Sequence, residues 1–136
     1  MTARYLLDTN ICIYIAREKP AEVAAKFAAL QPGEAAISVI TWGELRFGAE
    51  KSTRRRAVLA MLDEFASLVP VMPMARGAGD RYAGIRGSLE SSGTPIGNND
   101  LWIAAHALAA DMTLITNNGR EFRRVDGLRV DNWVKG

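Results

Sequence analysis

The sequence predicts an α/β fold with a mostly parallel central sheet, because short apolar segments alternate with longer segments of helical spacing. Such alternation is typical of parallel sheets whose strands are joined by right-handed helical crossovers. A chain of 136 residues is long enough for one sizeable core. Since no repeat or linker divides it, we expect a single domain over residues 1–136.

Five apolar segments are predicted to form the strands. Each is rich in aliphatic and β-branched residues, which favour strands. They span residues 4–8, 35–40, 69–72, 112–116 and 128–130. The first contains the continuous apolar segment Tyr5-Leu6-Leu7, as expected of a buried, central strand in a parallel sheet.

Six helices are predicted between these strands, together with one further helical turn. They span residues 10–17, 20–30, 41–48, 52–68, 75–91 and 98–110, and the turn falls within 117–124. Pro20 suits the first turn of the second helix. Thr41 followed by Glu44 has the spacing of a capping box at the start of the third helix. Asn98 or Asn99 is expected to cap the sixth.

The composition indicates a cytoplasmic globular protein without a membrane segment. The formal net charge is +2, so any binding of nucleic acid must come from local basic patches and not from bulk attraction. The single cysteine, Cys12, excludes an intramolecular disulfide and is expected in the core. There is no signal-peptide pattern, since Asp8 interrupts the start, and no apolar run reaches the length of a membrane helix.

Four acids stand where a parallel sheet would gather them. Asp8, Glu44 and Glu121 follow strand-like segments, and Asp100 begins a helix. In open α/β sheets ligands bind at the carboxyl ends of the strands. Clustered carboxylates repel one another unless they are protonated or share a divalent cation. The pattern therefore predicts a Mg²⁺ or Mn²⁺ site for phosphodiester chemistry.

Each acid taken alone has a simpler structural explanation. Asp8 could be a helix cap, Glu44 a capping-box acid, Asp100 a first-turn acid favoured by the helix dipole, and Glu121 a surface charge. Their joint position at one predicted edge favours the functional interpretation. His106 lies more than about 90° around its helix from Asp100, so it is not expected to be the general base.

The ordered motifs cover nearly the whole chain. They lie at residues 6–10, 37–45, 93–107, 114–118, 120–122 and 125–133. Together they resemble the PIN-domain ribonucleases and, within that family, the VapC toxins of type II toxin–antitoxin modules. Each motif is weak by itself, and the ordered set carries the resemblance.

The resemblance implies a three-layer α/β/α PIN fold, a Mg²⁺ or Mn²⁺ site and endoribonuclease activity. It carries the catalytic acids onto Asp8, Glu44 and Asp100. Many members have an Asp where this chain has Asn118, so Glu121 is expected to join Asp8 and Asp100 as a metal ligand. A water on the ion, oriented by Asp100 or Glu44, would be the nucleophile. The expected supporting residues are Thr9, Asn10, Thr116 and Asn118.

The resemblance also implies partners. It suggests a homodimer, a VapB-like antitoxin whose tail blocks the site, and a structured RNA substrate. The ending and the Thr-Asn-Asn-x-Arg-Glu-Phe stretch look most like enteric VapC enzymes that cut initiator tRNA. Arg46, Arg123 and Arg124 are close in sequence to the proposed site and are expected to contact RNA phosphates.

Two other classes of protein share parts of this pattern. A phosphoacceptor receiver domain would need an acid pair after the first strand and a late lysine, whereas Asp8 has no acidic neighbour and no lysine occurs between Lys51 and Lys135. An inactive PIN-like binding module remains an alternative, because position 118 is Asn where many family members have Asp. An Asp8→Asn variant that loses toxicity would argue against that module.

Overall fold

The sheet has the predicted architecture. A computed structural model describes residues 3–135. Within that range five strands occur: β1 (Tyr5–Leu7), β2 (Ala35–Ser38), β3 (Val71–Met72), β4 (Thr113–Ile115) and β5 (Val130–Asp131). They form one sheet in the order β3-β2-β1-β4-β5. Every neighbouring pair is parallel and β1 is central, as predicted. The last strand begins later than predicted, where it pairs with β4.

Seven helices connect and cover these strands within residues 3–135. They are α1 (Thr9–Arg17), α2 (Ala21–Ala28), α3 (Val39–Glu50), α4 (Arg55–Leu68), α5 (Arg76–Ser91), α6 (Asn98–Ala109) and α7 (Gly119–Phe122). In the part of the chain that the structure describes, no helix combines the length and the apolar character needed to cross a membrane.

Two hydrophobic layers lie on opposite faces of the sheet. Successive side chains of a strand point to opposite faces. Leu7, Ile37 and Ile115 pack with the layer of α1 to α4. The adjacent Leu6, Ala36 and Leu114 pack with α5, α6 and α7. The fold is thus the predicted three-layer α/β/α sandwich, and its sheet is held rigidly from both sides.

The start of α3 differs from its prediction. The chain leaves β2 at Ser38, whose Oγ accepts a hydrogen bond from the Ile40 N–H at 3.1 Å and caps the helix. Thr41 is therefore a buried residue inside α3, and its assignment as the N-cap is wrong. The capping-box interpretation of Glu44 is wrong for the same reason, because Glu44 lies in the middle of the helix.

The cap of α6 and the start of α4 also differ from their predictions. Gly97 flanks α6, and Asn98 and Asn99 are its first two residues, without a side-chain cap. The helix α4 begins later than expected because the Ser52 Oγ accepts the Arg54 N–H at 3.0 Å. A short polar side chain that binds nearby backbone competes with the helix at this point.

The strand order places a crevice at the carboxyl ends of β1 and β4. The sheet continues to one side of β1 through β2 and to the other through β4. A crevice for ligands forms where the direction of the strand order changes. Asp8 directly follows β1 and Thr116 directly follows β4, with the Asp8 N–H bonded to the Ile115 carbonyl at 3.0 Å. This is the edge at which the acid site was predicted.

Candidate active site

Asp8 combines a structural role with a place in the site. It is the N-cap of α1, and its Oδ1 accepts the Ile11 N–H at 2.9 Å. Its Oδ2 accepts a hydrogen bond from the Thr116 hydroxyl. Burial raises the pKa of Asp8 and the charge of Glu44 adds to this effect, while the bonds from Thr116 and Ile11 oppose it. A carboxylate therefore sits in the crevice with both oxygens oriented.

Glu44 links the first and sixth helices to the third. The Thr9 hydroxyl donates to its Oε1 at 2.5 Å, and the Asn99 amide donates to its Oε2 at 3.3 Å. Thr9 adjoins Asp8, and Asn99 adjoins Asp100. Two side-chain bonds thus draw the segments of the three expected catalytic acids to one place.

Asp100 has the most perturbed acid group of the site. As the third residue of α6 it lies in the first turn, where the helix dipole favours the anion. Burial, followed by the charges of Glu121, Glu44 and Asp8 in that order, nevertheless raises the pKa of Asp100 to about 6. Burial together with the three neighbouring acids therefore outweighs the helix dipole.

The segment after β4 supplies the remaining polar groups. The Asn118 N–H donates to the Thr116 Oγ1 at 2.9 Å, and the Asn118 amide donates to the Glu121 Oε2 at 3.1 Å. Thr116 in turn donates to Asp8. Asn118 therefore joins Glu121 and Asp8 in one hydrogen-bonded chain, which is how a residue that supports the ligands would act.

The donor chemistry fits a hard divalent cation, although the present side-chain arrangement does not form a coordination sphere. Mg²⁺ prefers carboxylate oxygens and retains water ligands. Within residues 3–135, no three His, Cys, Asp or Glu side chains converge in a way that would hold an ion. Three of the four acids instead bond to their own neighbours: Asp8 to Thr116, Glu44 to Thr9, and Glu121 to Asn118. An ion would compete with these bonds for the same oxygens.

Asn99 is the site residue that sequence reasoning missed. It was considered only as a helix cap, whereas its side chain reaches across to Glu44 on α3. Its position next to Asp100 was the available signal, but a bond between residues so far apart in sequence needs the fold. Asn10, expected as a supporting residue, acts on Asp8 through its backbone N–H, and its side chain is exposed.

The three expected RNA-binding arginines lie in different surroundings. Arg46 is about 200° around α3 from Glu44, with its guanidinium over the Trp42 ring and 3.7 Å from Asp63. Arg124 donates to the Pro95 carbonyl at 3.1 Å, in the loop before α6. Arg123 is exposed, and its guanidinium lies over Gly119. Arg46 thus shares α3 with Glu44 but directs its guanidinium to Trp42 and Asp63, whereas the guanidinium of Arg123 lies against the segment that carries Glu121.

Burial leaves His106 and Cys12 poorly suited to this chemistry. Burial lowers the pKa of His106 and favours its neutral form, and its Nδ1 has no hydrogen-bond partner among the described residues. Burial raises the pKa of the Cys12 thiol well above its ordinary value, with the charge of Asp8 adding to the effect. A thiol held protonated in this way is a poor nucleophile.

The family profile of the PIN domain matches residues 5–128, which include all four acids and the whole crevice. The chain belongs to the PIN-domain family. A "tRNA(fMet)-specific endonuclease VapC" of Shigella flexneri is 41% identical over 130 residues, which cover 96% of this chain and 98% of that protein. A "Ribonuclease VapC2" of Haemophilus influenzae is 38% identical over 131 residues, with the same coverage.

Solved structures of PIN-domain proteins have the same fold. A DNA-bound VapBC from Salmonella typhimurium matches with a TM-score of 0.91 and 37% identity, covering 98% of this chain and all (100%) of that chain. VapBC2 from Rickettsia felis, bound to a DNA fragment from its promoter, matches with a TM-score of 0.88 and 37% identity, covering 96% and 98%. Within the PIN-domain family, this chain therefore stands among the VapC ribonucleases.

Proposed function

We propose that this PIN-domain protein is a Mg²⁺- or Mn²⁺-dependent endoribonuclease toxin that cleaves structured RNA, with tRNA as the substrate class, and is neutralised by a VapB-like antitoxin. The observation that carries the proposal is the pair of bonds from Thr9 and Asn99 to Glu44. These bonds join the segments of Asp8, Glu44 and Asp100 at the ligand-binding edge of the sheet.

The proposed division of roles follows from what each acid contacts. Asp8, Asp100 and Glu121 would offer oxygens to a divalent ion, which when bound would supply charge stabilisation for the phosphate and an activated water. Thr116 holds Asp8, and Asn118 holds Glu121. Glu44, oriented by Thr9 and Asn99, orients the attacking water. The pKa of about 6 belongs to Asp100 without an ion, and a bound divalent cation would favour its charged form.

The RNA class is proposed from local charge and from the relatives. The net charge of +2 leaves phosphate contacts to individual arginines. Arg123 and Arg124 lie beside the site and are proposed to make such contacts, while Arg46 stays a prediction because it faces Trp42 and Asp63. The Shigella relative is named for tRNA(fMet), which supports initiator tRNA as the specific substrate and translation as the process inhibited.

The experiment compares cleavage of a tRNA pool with and without divalent ions. Wild-type protein should give discrete cuts with Mg²⁺ or Mn²⁺ and none with EDTA. Glu44→Gln should reduce the cleavage rate by at least about tenfold, since it replaces an oriented carboxylate of the site. Glu64→Gln, at an exposed position on α4, should cleave as the wild type does. Cuts that persist in EDTA would refute metal dependence.

An apolar groove beside Glu44 fits an antitoxin segment. It has a volume of about 300 Å³ and lies between α1, α3 and α4. Thr9 and Glu44 form its end at the site, Arg17 lies on its rim, and Met61 is 44% exposed within it. An amphipathic segment with its apolar side in the groove would bring a cationic residue to the acids. The solved VapBC complexes support this occupant.

Met61→Glu is expected to weaken binding of a co-expressed VapB-like antitoxin by about tenfold or more, because it places a charge in the apolar groove. RNA cleavage by the free chain should not change. Leu68→Glu is the matched control, since Leu68 is an exposed apolar residue of the same helix outside the groove. Titration calorimetry measures both affinities, and equal effects of the two variants would place the antitoxin elsewhere.

The second candidate is an inactive PIN-like binding module. It is favoured by the neutral Asn118 and by the absence, within residues 3–135, of three converging donors. This candidate predicts that the tRNA pool is bound but never cut, with or without divalent ions. A homodimer remains a prediction of the family resemblance, and sedimentation of the purified chain tests it directly.

A further inference from the structure

Gly119 has no side chain, and the guanidinium of Arg123 occupies the space beside it that a Cβ would approach. A Cβ added there would lie 2.8 Å from Arg123 Nη1, 3.2 Å from its Cζ and 3.5 Å from its Nη2. No other glycine in residues 3–135 has a neighbour that close to an added Cβ. Since the backbone of Gly119 does not adopt a positive φ, space for the guanidinium, and not backbone conformation, distinguishes this position.

The guanidinium so placed lies at the edge of the acid site. Gly119 directly follows Asn118, whose backbone and amide groups bond Thr116 and Glu121. Arg123 is exposed and, among the described residues, forms no ion pair with a carboxylate. Its N–H donors are therefore available to an incoming phosphate, the group for which the planar guanidinium is well suited.

We propose that Gly119 is a positioning residue, which lets the guanidinium of Arg123 lie against α7 beside Asn118 and there bind a phosphate of the RNA. This inference rests on the proposed function, and it specifies how the substrate is held next to the acids. An alanine at position 119 would displace the guanidinium. The fold should tolerate the change, because the atoms in the way are the end of a flexible side chain and alanine favours helix.

Binding of a fluorescently labelled tRNA pool tests this inference separately from cleavage. All variants are made in the Glu44→Gln background, in which cleavage is reduced. Anisotropy of the labelled tRNA is measured from about 50 to about 300 mM KCl, a range over which the contribution of phosphate contacts to binding changes strongly. Arg123→Ala should weaken binding about threefold to tenfold and reduce the salt slope by about one. Gly119→Ala should produce the same kind of change, and the double variant should lose little more than Arg123→Ala alone.

Gly79→Ala is the matched control, because a Cβ at this exposed α5 position meets nothing within 4 Å. It should leave both affinity and salt slope unchanged. Two results would overturn the positioning role while the proposed function stands. One is that Gly119→Ala binds tRNA as tightly as its Glu44→Gln parent. The other is that Gly119→Ala weakens tRNA binding by the same factor whether position 123 is Arg or Ala. If the Glu44→Gln parent binds no tRNA at any salt concentration and wild type cuts none, the proposed function fails, and this inference fails with it.

Discussion

Asp8→Asn should lower the rate of RNA cleavage by at least about a hundredfold while the protein stays folded. The variant removes the carboxylate at the carboxyl end of the central strand, so a divalent ion would lose one of its proposed charged ligands. The amide retains an oxygen that can accept the Ile11 N–H, and Asn caps helices about as well as Asp. Burial already raises the pKa of Asp8, so loss of this charge removes an unfavourable desolvation. The unfolding free energy should change by about 1 kcal/mol or less.

Initial rates on a tRNA pool and thermal unfolding should be measured on the same preparation. Asp80→Asn provides the control, since it makes the same chemical change at an exposed position of α5. Cleavage by Asp8→Asn within a few-fold of wild type would refute the role of Asp8. A variant that is inactive and also unfolded would leave Glu44→Gln, measured in the same way, to decide whether the acid cluster is catalytic.

Asp100→Asn should change activity and stability in opposite directions. Cleavage should fall by about a hundredfold, because the variant removes another of the proposed ligand carboxylates. Stability at pH 8 should rise, because the folded wild type then carries a charge that burial and the charges of Glu121, Glu44 and Asp8 disfavour. The pKa of Asp100 shifts from 3.8 to about 6, and the corresponding free energy must be reduced because solvent screens the half-exposed side chain. The expected gain in unfolding free energy is then about 1 kcal/mol. The expected gain in Tm is about 3 °C.

The pH dependence follows from the same shift. The folded state binds a proton at Asp100 more tightly than the unfolded state, so the contribution of Asp100 to wild-type stability falls as pH rises from about 4 to about 6 and then levels. Asp100→Asn lacks this contribution. The difference in unfolding free energy between wild type and the variant should therefore be absent near pH 3 and reach its full size above pH 7. Thermal scans across this range, with and without Mg²⁺, measure it. An equal Mg²⁺ stabilisation of both proteins would contradict a ligand role for Asp100.

The fold was predictable because its signals are local and repeated. The continuous apolar character of Tyr5-Leu6-Leu7 was enough to place β1 at the centre, and helical spacing was enough to find α4. The starts of α3 and α6 were less predictable, since several polar residues competed for each cap. Ser38 and not Thr41 caps α3, because the chain leaves the sheet at Ser38. The residue at which a strand ends depends on sheet pairing, which is a property of the tertiary structure.

The site was predictable in its acids but not in its connections. Asp8 and Asp100 follow or begin regular elements, so the sheet topology alone brings them to one edge. The bonds of Thr9 and Asn99 to Glu44 join residues 35 and 55 positions apart and could not be read from either segment. The neighbourhood of Arg123 was equally hidden, because its closeness to Gly119 depends on a side-chain conformation.

The position of β4 in the sheet also governs when the site can exist. The bond from Thr116 to Asp8 joins residues 108 positions apart, and β4 occupies the inner place beside β1. Synthesis proceeds from the N-terminus, so the edge of β1 that pairs with β4 stays unpaired until residues 113–115 have been made. Asp8 therefore lacks its Thr116 partner, and the acid cluster lacks its final arrangement, until β4 has been synthesised and has paired with β1.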